Sequence, residues 1–540
     1  MIQITQLKLH YHHSAADLEH KIRKTLKVSA NQKLTYRIVK KSIDARKKPE
    51  LYLVYTVQVT TENEAAIVKK ARNNMISIVK EKKYQLPNTG DETLEHPPFI
   101  IGAGPAGLFA TFLFVEAGFS PILIERGKPV EERQKDVEDF WKTGVLNTAS
   151  NVQFGEGGAG TFSDGKLNTV VKDPANRNQF VLETFVRFGA PAEILFENKP
   201  HIGTDILCHV IANMRNYMIN KGAQIYFETC AKEFVIENQK IKAVICENGK
   251  SFPVSSVVLA LGHSARDTFQ TLYQLEIPME AKNFAVGFRV EHPQEMINEA
   301  LYGEQEMDMP AAPYKVTSNF PNGRGVYSFC MCPGGYVVNS SSEEERLVVN
   351  GMSYSGRNST TANSAIIISV DETDFANPFF YMNTSIEPTQ DALCGMRFQQ
   401  ALERKAYQLA MGKIPQQLYG DFCENKCGSA YGAFSSNTKG ETAFVNLRGI
   451  FTEDMEESFM EGMTHFGHII PGFDRSDAIL SGIESRTSSP IRIMRDENYE
   501  SKIKGIYPCG EGAGYAGGIT SAAMDGIRVA EAIIRKYKPN

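Results

Sequence analysis

Hydrophobic and polar positions alternate near the start of the chain in a way that predicts a small α+β domain. ITQLKLHY is typical of a strand, and in AADLEHKIRKTLKV the side chains Leu18, Ile22 and Leu26 recur at helical spacing. TYRIVKKSI and ELYLVYTVQVT predict a hairpin around a basic loop at 44–49. A second helix is expected from Asn63 through AAIVKKARNNMISIVKE. We assign this domain to residues 1–90 and a linker to residues 91–98.

From Phe99 the pattern changes to a short apolar strand, a glycine turn, a helix and a second strand. The turn reads GAGPAG, and the second strand ends at Glu125, 23 residues after Gly102. This is one complete βαβ unit for a dinucleotide, because glycines let the backbone approach a pyrophosphate and the helix N-terminus attracts its charge. The acid is expected to bind a ribose. The predicted contacts are Gly102, Gly104, Pro105, Ala106, Gly107 and Glu125.

Two further stretches, 155–160 and 512–517, also fit the pattern G-x-G-x-x-G. The later one follows a strand and precedes a helix, but too few residues come after it for a second strand and its acid. The earlier one has no apolar strand before it and no helical period after it. We therefore expect both to complete the site that begins at Gly102, rather than to bind nucleotides of their own.

Composition and cysteine usage narrow the class of protein. A length of 540 residues predicts two or three domains, and 42% hydrophobic with 22% charged residues is typical of a globular chain. There is no apolar secretory segment, and the uncharged run at 107–115 is too short to span a bilayer, so a cytoplasmic location is expected. Nine cysteines show no disulfide framework and no zinc-ligand spacing. Reduced, structural thiols and no metal site are expected.

Charge is divided unevenly along the chain. Residues 1–90 contain 18 lysines and arginines against 7 acidic residues, whereas the whole chain carries a net charge of −5. The basic clusters lie at 21–27 and 40–48. They are suited to a nucleic acid, an acidic protein or an anionic membrane face, or to docking on the acidic remainder of the chain. The sequence leaves these alternatives open, with nucleic acid the less favoured.

Four stretches together resemble the FAD oxidoreductases with a single Rossmann domain that are related to glutathione reductase and p-hydroxybenzoate hydroxylase. They are GAGPAG…IERG, NVQFGEGGAGTFSDGKL, SSVVLALGHSARD and YPCGEGAGYAGGITSAAMDG. The chain as a whole resembles the bacterial FAD-dependent (NAD(FAD)-utilising) dehydrogenases, a family with no assigned substrate. The resemblance implies an α/β fold with an FAD-binding Rossmann-like domain, an inserted mixed β-rich substrate or cap domain, and the small N-terminal α+β domain.

The same resemblance implies domain limits and further FAD contacts. The FAD-binding domain is expected at 99–275 and 460–540, and the cap domain at 276–459. The carboxylate of Glu511 would bind the ribityl chain, and amides near Gly518 would face the flavin N1–C2=O edge. The implied FAD-binding residues beyond the first turn are Arg126, Arg133, Gly157, Gly158, Ala159, Gly160, Ser163, Asp164, Gly165, Gly262, Gly510, Glu511, Gly517, Gly518, Ile519 and Thr520.

The chemistry expected is hydride transfer between flavin N5 and a small, anionic organic substrate, with NAD(P)H or a redox protein as a possible partner. Lys166, Arg289 and Arg475 are the predicted catalytic residues. Disulfide reductase chemistry is disfavoured because no cysteine occurs between Gly102 and Cys208. The alternative is an FAD-containing binding or redox-sensing protein whose basic domain engages RNA or an acidic protein. Other candidate substrate contacts are His292, Lys315, Arg357 and Asp474.

Overall fold

A computed structural model describes residues 1–304 and 309–539, so four positions of the predicted cap domain and the last residue lie outside the described part. The N-terminal elements are β1 (Ile2–His10), α1 (Ala15–Leu26), β2 (Leu34–Lys47), β3 (Glu50–Thr61), α2 (Glu64–Ala71) and β4 (Ile76–Ile78). They form an antiparallel sheet in the order β2-β3-β1-β4. The expected hairpin is confirmed as β2 and β3. Leu18, Ile22 and Leu26 of α1 are buried against the sheet, as their spacing predicts.

The predicted second helix was wrong in its length. Helix α2 ends at Ala71, because Arg72 adopts a left-handed conformation with φ of 48° that stops the helix. The apolar residues that follow, at 76–78, instead pair with the start of β1 as strand β4. A short apolar run is compatible with either a helix or a strand. Here residues 76–78 form a strand because they pair with the edge of β1.

The dinucleotide-binding domain begins after the linker. Its elements are β5 (Glu92–Thr93), β6 (Phe99–Ile101), α3 (Pro105–Glu116), β7 (Ile122–Ile124), α4 (Val130–Thr143), α5 (Arg177–Arg187), α6 (Thr204–Asn220), β8 (Gln224–Tyr226), β9 (Ala231–Glu237), β10 (Lys240–Cys246), β11 (Ser251–Pro253), β12 (Val257–Leu259) and α7 (Arg266–Gln274). Two 3₁₀ turns lie at Ala159–Phe162 and Ala192–Leu195. The predicted βαβ unit is confirmed as β6, α3 and β7.

The inserted cap domain and the return to the first domain complete the chain. Their elements are β13 (Met279–Ala281), β14 (Phe284–Pro293), α8 (Gln294–Tyr302), β15 (Thr317–Asn319), β16 (Gly325–Cys332), β17 (Tyr336–Asn339), β18 (Val349–Met352), β19 (Thr361–Val370), α9 (Glu372–Phe375), α10 (Cys394–Leu409), β20 (Ile414–Leu418), α11 (Tyr419–Cys423), β21 (Thr438–Lys439), β22 (Thr442–Phe444), α12 (Glu453–Ile469), β23 (Ile479–Glu484), β24 (Ile491–Ile493), β25 (Ile506–Pro508), α13 (Ile519–Lys536) and β26 (Tyr537–Lys538).

A five-stranded parallel sheet in the order β25-β12-β6-β7-β8 forms the centre of the dinucleotide-binding domain. Helices α3 and α13 pack against each other on one face, and the small antiparallel sheet β9–β11 covers the other. From β6 the chain continues to β7 on one side, while β12 and β25 lie on the other. This reversal is a topological switch point, where ligands bind outside the carboxyl ends of the strands.

The cap domain is built on a seven-stranded sheet in the order β15-β16-β19-β14-β23-β20-β22. The stretches NFAVGFRVEH, GVYSFCM and AIIISV, whose composition is typical of strands, lie in this sheet as β14, β16 and β19. Strands β17 and β18 form a small sheet of their own with β21. The cap domain was predicted to end at residue 459, but in the structure it extends further. Strand β23 pairs with β14 and β20 inside the cap sheet, so residues 460–487 pack with the cap domain.

Two sets of contacts fix the domains to one another. Strands β13 and β24 pair where the chain enters and leaves the cap. Beside them the buried carboxylate of Glu403 accepts hydrogen bonds from Arg266 of α7 and from Arg486, at 2.7–2.9 Å. This buried ion cluster links α7 of the first domain to α10 of the cap. Among the described helices, none is both long and apolar enough to cross a membrane.

The N-terminal domain docks through its basic hairpin. The backbone of Lys41 exchanges hydrogen bonds with Phe196 and Asn198, at 2.7 and 2.9 Å, and the Lys48 side chain donates to the Ala300 carbonyl at 2.5 Å. Lys41 also lies 3.9 Å from the carboxylate of Glu197. Part of the basic cluster at 40–48 therefore contacts the rest of the chain. This agrees with the alternative in which the cluster docks on the acidic remainder of the chain.

Candidate FAD site

The three glycine patterns meet at the carboxyl edge of the parallel sheet. The turn after β6 and the loop after β25 lie there by topology, and the loop at 155–160 reaches both of them. The Gly157 amide donates to the Ala103 carbonyl at 2.8 Å, and a Cβ atom on Gly158 would lie 3.0 Å from the Cα atom of Gly104. A Cβ atom on Gly160 would lie 2.9 Å from Ile519. The patterns thus form one composite site.

The turn after β6 is held tightly against the neighbouring strand. Gly102 has φ of 102°, and a Cβ atom there would lie 2.5 Å from the Ala260 carbonyl oxygen. Only glycine combines that conformation with so close an approach. Helix α3 then begins at Pro105, which fits the first helical position, where an N–H group would have no intrahelical partner. Gly104, Pro105 and Ala106 at this first turn line the cavity described below, and a helix N-terminus favours an anion.

Glu125 organises the backbone around the predicted ribose position. One carboxylate oxygen accepts hydrogen bonds from the amides of Gly127 and Gly155, at 2.9 and 3.0 Å, and the other accepts from Ala103 at 2.8 Å. A carboxylate offers about four acceptor positions, so these three bonds leave room for one more donor. The side chain is buried and lines the cavity described below. Glu125 therefore both ties three loops together and keeps acceptor capacity for a hydroxyl group.

Arg133 shapes the glycine loop from beneath. Its fully buried guanidinium donates to five main-chain carbonyl groups, those of residues 151, 152, 155, 156 and 158, at 2.7–3.2 Å. Burial lowers the pKa of Arg133 to about 10. A Cβ atom on Gly155 would overlap this side chain. Arg133 was predicted to contact the cofactor, but its donors are used by the loop and it does not line the cavity.

The loop after β25 and the strand end after β12 are joined by a histidine–glutamate pair. The Nδ1 atom of His263 lies 2.7 Å from one oxygen of Glu511, and the His263 amide donates to the other at 3.2 Å. Burial opposes the charge on Glu511, but the contact with His263 lowers the pKa of this carboxyl below its ordinary value. Helix α13 begins at Ile519 directly after this loop, with Gly518 as its N-cap.

These loops enclose a cavity of about 420 Å³ that runs from Glu125 to Lys166. Among the described residues, the buried Nε2 atom of His263 faces no hydrogen-bond partner, which marks a place for a polar ligand group. Cβ atoms built on Gly262 and Gly517 would meet no atom within 4 Å. A long cleft lined by glycine backbone, two helix N-termini and an unpaired buried ring nitrogen fits a dinucleotide such as FAD.

Most of the predicted contacts line this cavity. They are Gly102, Gly104, Pro105, Ala106, Glu125, Arg126, Gly158, Ala159, Gly160, Ser163, Asp164, Gly165, Lys166, Gly262, Glu511, Gly517, Gly518 and Ile519. Five predicted cofactor contacts do not: Gly107, Arg133, Gly157, Gly510 and Thr520 support the loops from behind. Thr520, for example, donates its hydroxyl to the Leu167 carbonyl at 2.8 Å and so fixes the loop to α13.

Two of the three predicted catalytic residues also lie away from the cavity lining. Arg289 is fully buried and paired with Glu484 at 2.8 Å, and it further donates to Asn363. Arg475 is paired with Asp477, and its guanidinium stacks on the ring of Phe434. Neither guanidinium is presented to a ligand in the cavity. For Arg289 the sequence could not show this, because its partner Glu484 comes from a distant strand, whereas the Asp477 partner of Arg475 is only two residues away.

Lys166 reaches the far end of the cavity and is part of a charged cluster. Its ammonium lies 3.1 Å from Asp164, and Arg357 donates to the same carboxylate oxygen at 2.9 Å. Ser353 donates to the other oxygen of Asp164 at 2.6 Å and lies 3.2 Å from the His201 ring. Although burial alone would raise it, the charges of Lys166 and Arg357 hold the pKa of Asp164 below its ordinary value.

At neutral pH this far-end cluster carries a net positive charge. Two cations face one carboxylate, and burial lowers the pKa of His201 to about 4, so that the imidazole is neutral. Burial and then the charges of Lys166 and Arg357 lower the pKa of Lys199 nearby. The cluster therefore favours a ligand that brings a negative charge.

Sequence reasoning missed cavity residues from both domains. His263 directly follows a predicted strand end, which was a usable signal. The others lie beside the predicted glycine loop, before or at the start of β9, or in the cap domain, where no motif marked them. The missed residues include Gln153, Phe154, Asn168, Thr229, Cys230, Ala231, His263, Phe329, Cys330, Asn350, Arg486 and Thr487.

The chain has relatives at the level of sequence. Residues 283–487 match the family described as "FAD-dependent protein, C-terminal domain-like", and residues 1–60 match "Domain of unknown function (DUF8436)". A Clostridium beijerinckii protein named "Uncharacterized protein" is 42% identical over 542 residues, and the match covers 99% of each chain. The matched FAD-dependent family spans the cap domain as the structure bounds it.

Solved structures that match the chain do so at low similarity. The FrdA chain of E. coli quinol fumarate reductase is 12% identical, with a TM-score of 0.36 over 82% of this chain and 70% of that chain. Glycerol-3-phosphate dehydrogenase from Bacillus halodurans, complexed with FAD, is 11% identical, with a TM-score of 0.35 over 82% and 65%. L-proline dehydrogenase from P. horikoshii is 14% identical, with a TM-score of 0.32 over 82% and 94%.

FAD is the cofactor on which the matched family description, the βαβ unit and the shape of the cavity agree. The residues that would hold it are those of the composite site. The first turns of α3 and α13 would face its charged groups, Glu125 has a free acceptor position for a ribose hydroxyl, and His263 has an unused ring nitrogen.

Proposed function

This chain belongs to the same family as the Clostridium beijerinckii protein, and from that premise we propose that it is an FAD-dependent oxidoreductase acting on a small, anionic organic substrate. FAD supplies two-electron redox chemistry when bound. The wider assignment to the NAD(FAD)-utilising dehydrogenases, with a nicotinamide donor or a redox protein as a transient partner, is part of the same proposal.

The observation that supports an anionic substrate is the charged cluster around Lys166. Its ammonium lines the cavity on the loop 158–168, which packs on the start of α13 through the contact between Gly160 and Ile519. Residues of the glycine turn and the first turn of α3 would hold the phosphates of FAD, and residues at the start of α13 would hold its flavin. Lys166 then lies on the flavin side of the cavity, where a substrate must bind.

The residues of this cluster have separate tasks in the proposed reaction. Asp164 holds Lys166 and Arg357 side by side, so that neither ammonium nor guanidinium is free to turn away. Burial alone would lower the pKa of Lys166, but Asp164 raises it above its usual value and keeps the ammonium protonated. A carboxylate on the substrate would therefore be bound and oriented, while proton release from Lys166 is not expected.

The experiment is an anaerobic absorbance titration of purified protein reconstituted with FAD. NADH and NADPH are added separately, followed by a panel of small 2-hydroxy and 2-amino carboxylates and their uncharged amides. Bleaching of the flavin by a donor or by a carboxylate supports the proposal, and the amides are expected to react far less well. A flavin that no compound on the panel reduces, although dithionite reduces it, would refute the proposed activity.

A matched pair of variants tests the role of the charge. Lys166→Met keeps the length of the side chain and removes the ammonium, whereas Lys172→Met makes the same change at an exposed position further along the loop. We expect Lys166→Met to raise KM for an anionic substrate by about tenfold or more, in line with a hydrogen bond to a charged group of about 1.5–3 kcal/mol. Lys172→Met is expected to leave KM unchanged.

A further inference from the structure

Two cysteines of the cap domain meet the cavity at a bulge in strand β16. The pairing of β16 with β19 shifts register between Phe329 and Cys332, and Cys330 has a left-handed conformation with φ of 43°. Such a conformation is unusual for a non-glycine residue, and residues of this kind concentrate at functional sites. Cys330 lines the cavity, whereas Cys332 is fully buried two residues later.

The surroundings of the pair stabilise negative charge on sulfur. Arg289 donates to the Cys332 sulfur at 3.1 Å and to the Cys330 carbonyl at 2.6 Å, while Cys332 itself donates to that carbonyl at 3.2 Å. Lys166 donates to the carbonyl of the intervening Met331. The hydrogen bond from Cys332, and then the charges of Lys166 and Arg289, hold the pKa of the Cys330 thiol below its ordinary value against the effect of burial.

The two thiols differ in access in the way that a two-cysteine redox site requires. One thiol faces a ligand cavity, and the other is shielded behind it and bonded to a cation. A low-pKa, accessible thiol beside a second, resolving thiol is the arrangement that favours reversible oxidation. Both positions lie beside Lys166, on the flavin side of the cavity.

We propose that Cys330 and Cys332 form a redox-active dithiol–disulfide pair that exchanges two electrons with the bound FAD, and that small disulfides reaching Cys330 are substrates of this site. The proposal rests on FAD occupying the cavity, but not on which compound donates electrons to it. Both cysteines lie outside the region between Gly102 and Cys208, whose lack of cysteines was the reason to disfavour disulfide reductase chemistry.

Atoms and electrons balance both when the cysteine pair reduces a disulfide and when the pair is itself reduced. With a small disulfide, the Cys330 thiolate attacks one sulfur atom, the substrate S–S bond breaks, and the first product leaves as a thiolate that takes a proton from solvent. The Cys332 sulfur then attacks the Cys330 sulfur and forms the internal S–S bond, and its proton leaves with the second product thiol. Two electrons and two protons from the reduced cofactor break the internal S–S bond and restore the two thiols.

The first test counts reducing equivalents. Air-oxidised holoenzyme is titrated anaerobically with dithionite, and the flavin absorbance is recorded together with the number of electrons consumed. We expect about four electrons per FAD in the wild-type protein and about two in Cys330→Ser, because a disulfide takes up two. Consumption of about two electrons by the wild-type protein, after its full oxidation with diamide, would overturn the proposal.

A second measurement needs no bound cofactor and no activity. Apoprotein is oxidised with diamide, alkylated, digested and analysed by mass spectrometry. A peptide spanning residues 330–332 that has lost two hydrogen atoms and resists alkylation supports the pair, and alkylation of both thiols after diamide treatment refutes it. The double variant Cys423→Ser/Cys427→Ser removes the exposed thiols of another close pair and should behave as wild type in both measurements.

Failure of this proposal can be told apart from failure of the proposed function. A protein whose flavin is bleached by a carboxylate or a nicotinamide donor, but which consumes about two electrons per FAD, keeps the oxidoreductase assignment and loses the cysteine pair. A protein that consumes about four electrons per FAD, and releases thiol from the anionic disulfide 5,5′-dithiobis(2-nitrobenzoate) in the Cys423→Ser/Cys427→Ser background, supports the pair even if no carboxylate reacts.

Discussion

Replacing Arg133 by lysine is the sharpest test of how the glycine loop is held. The guanidinium donates to five main-chain carbonyls, whereas a lysine ammonium has three donors and a shorter reach. At least two carbonyl groups would lose their donor. Leaving a buried polar group unsatisfied costs about 1–3 kcal/mol, so Arg133→Lys should destabilise the closed loop by about 2–6 kcal/mol.

The loss should appear mainly as weaker cofactor binding. If the loop opens to hydrate its carbonyls, the lower figure of about 2 kcal/mol applies and corresponds to about 30-fold weaker binding of FAD. The assay is titration of apoprotein with FAD, followed by flavin fluorescence, with thermal unfolding measured with and without FAD. Arg187→Lys is the control, since Arg187 is half-exposed, pairs with Glu116 at the surface and lies over the Tyr217 ring, away from the cavity lining. Unchanged FAD affinity in Arg133→Lys would refute this account of the loop.

Three further outcomes are expected. Glu403→Gln should lower the free energy of unfolding by about 3 kcal/mol in urea denaturation, because Arg266 and Arg486 would stay buried with the partly exposed Glu343 but without the charge of the fully buried Glu403. Burial lowers the pKa of His292 to about 4, so stability present above the unfolded pKa of 6.5 should be lost as pH falls from 6.5 to 4, by up to about 3 kcal/mol, and His292→Gln should flatten that slope. Gly517→Val should weaken FAD binding about tenfold or more while leaving the apoprotein as stable as wild type, because its Cβ atom meets no protein atom within 4 Å.

Each of these has a defined contrary result. Glu441 is exposed and pairs with Lys413 on the surface, so Glu441→Gln should cost under about 1 kcal/mol, and an equal loss in both glutamate variants would remove the argument from burial. An identical pH slope in His292→Gln would mean that other groups carry the acid sensitivity. A Gly517→Val apoprotein that unfolds early would show that the substitution damages the fold rather than the cofactor site.

An element could be predicted from local sequence where its own residues carry both a functional motif and a regular hydrophobic pattern. The βαβ unit, the start of α13 and several strands of the cap could be predicted, because turn glycines and apolar runs specify them locally. The convergence of the three glycine patterns could be inferred from what each pattern lacked. The sequence alone therefore predicted that the three segments build one site.

What could not be predicted depends on partners that are distant in sequence. Arg133 and Arg289 were expected to meet ligands, yet one is used by loop carbonyls and the other by Glu484 and a cysteine sulfur. Strand β23 belongs to the cap because its edge pairs with β14, which no local pattern shows. In the same way, Cys330 gained its place beside Lys166 from a bulge that only strand pairing reveals.

The split of the first domain has a consequence for biosynthesis. Helix α3 packs against α13, and β25 completes the sheet beside β12, so the cofactor cavity needs residues from both 102–125 and 506–536. About 400 residues separate these segments, which at ~5–20 residues per second corresponds to roughly 20–80 s of translation. During that interval α13 has not yet been synthesised, so the apolar face of α3 has no helix to pack against while the chain is on the ribosome. FAD can therefore bind only after residues 506–536 have been synthesised. We expect the nascent chain to bind a chaperone before it binds FAD.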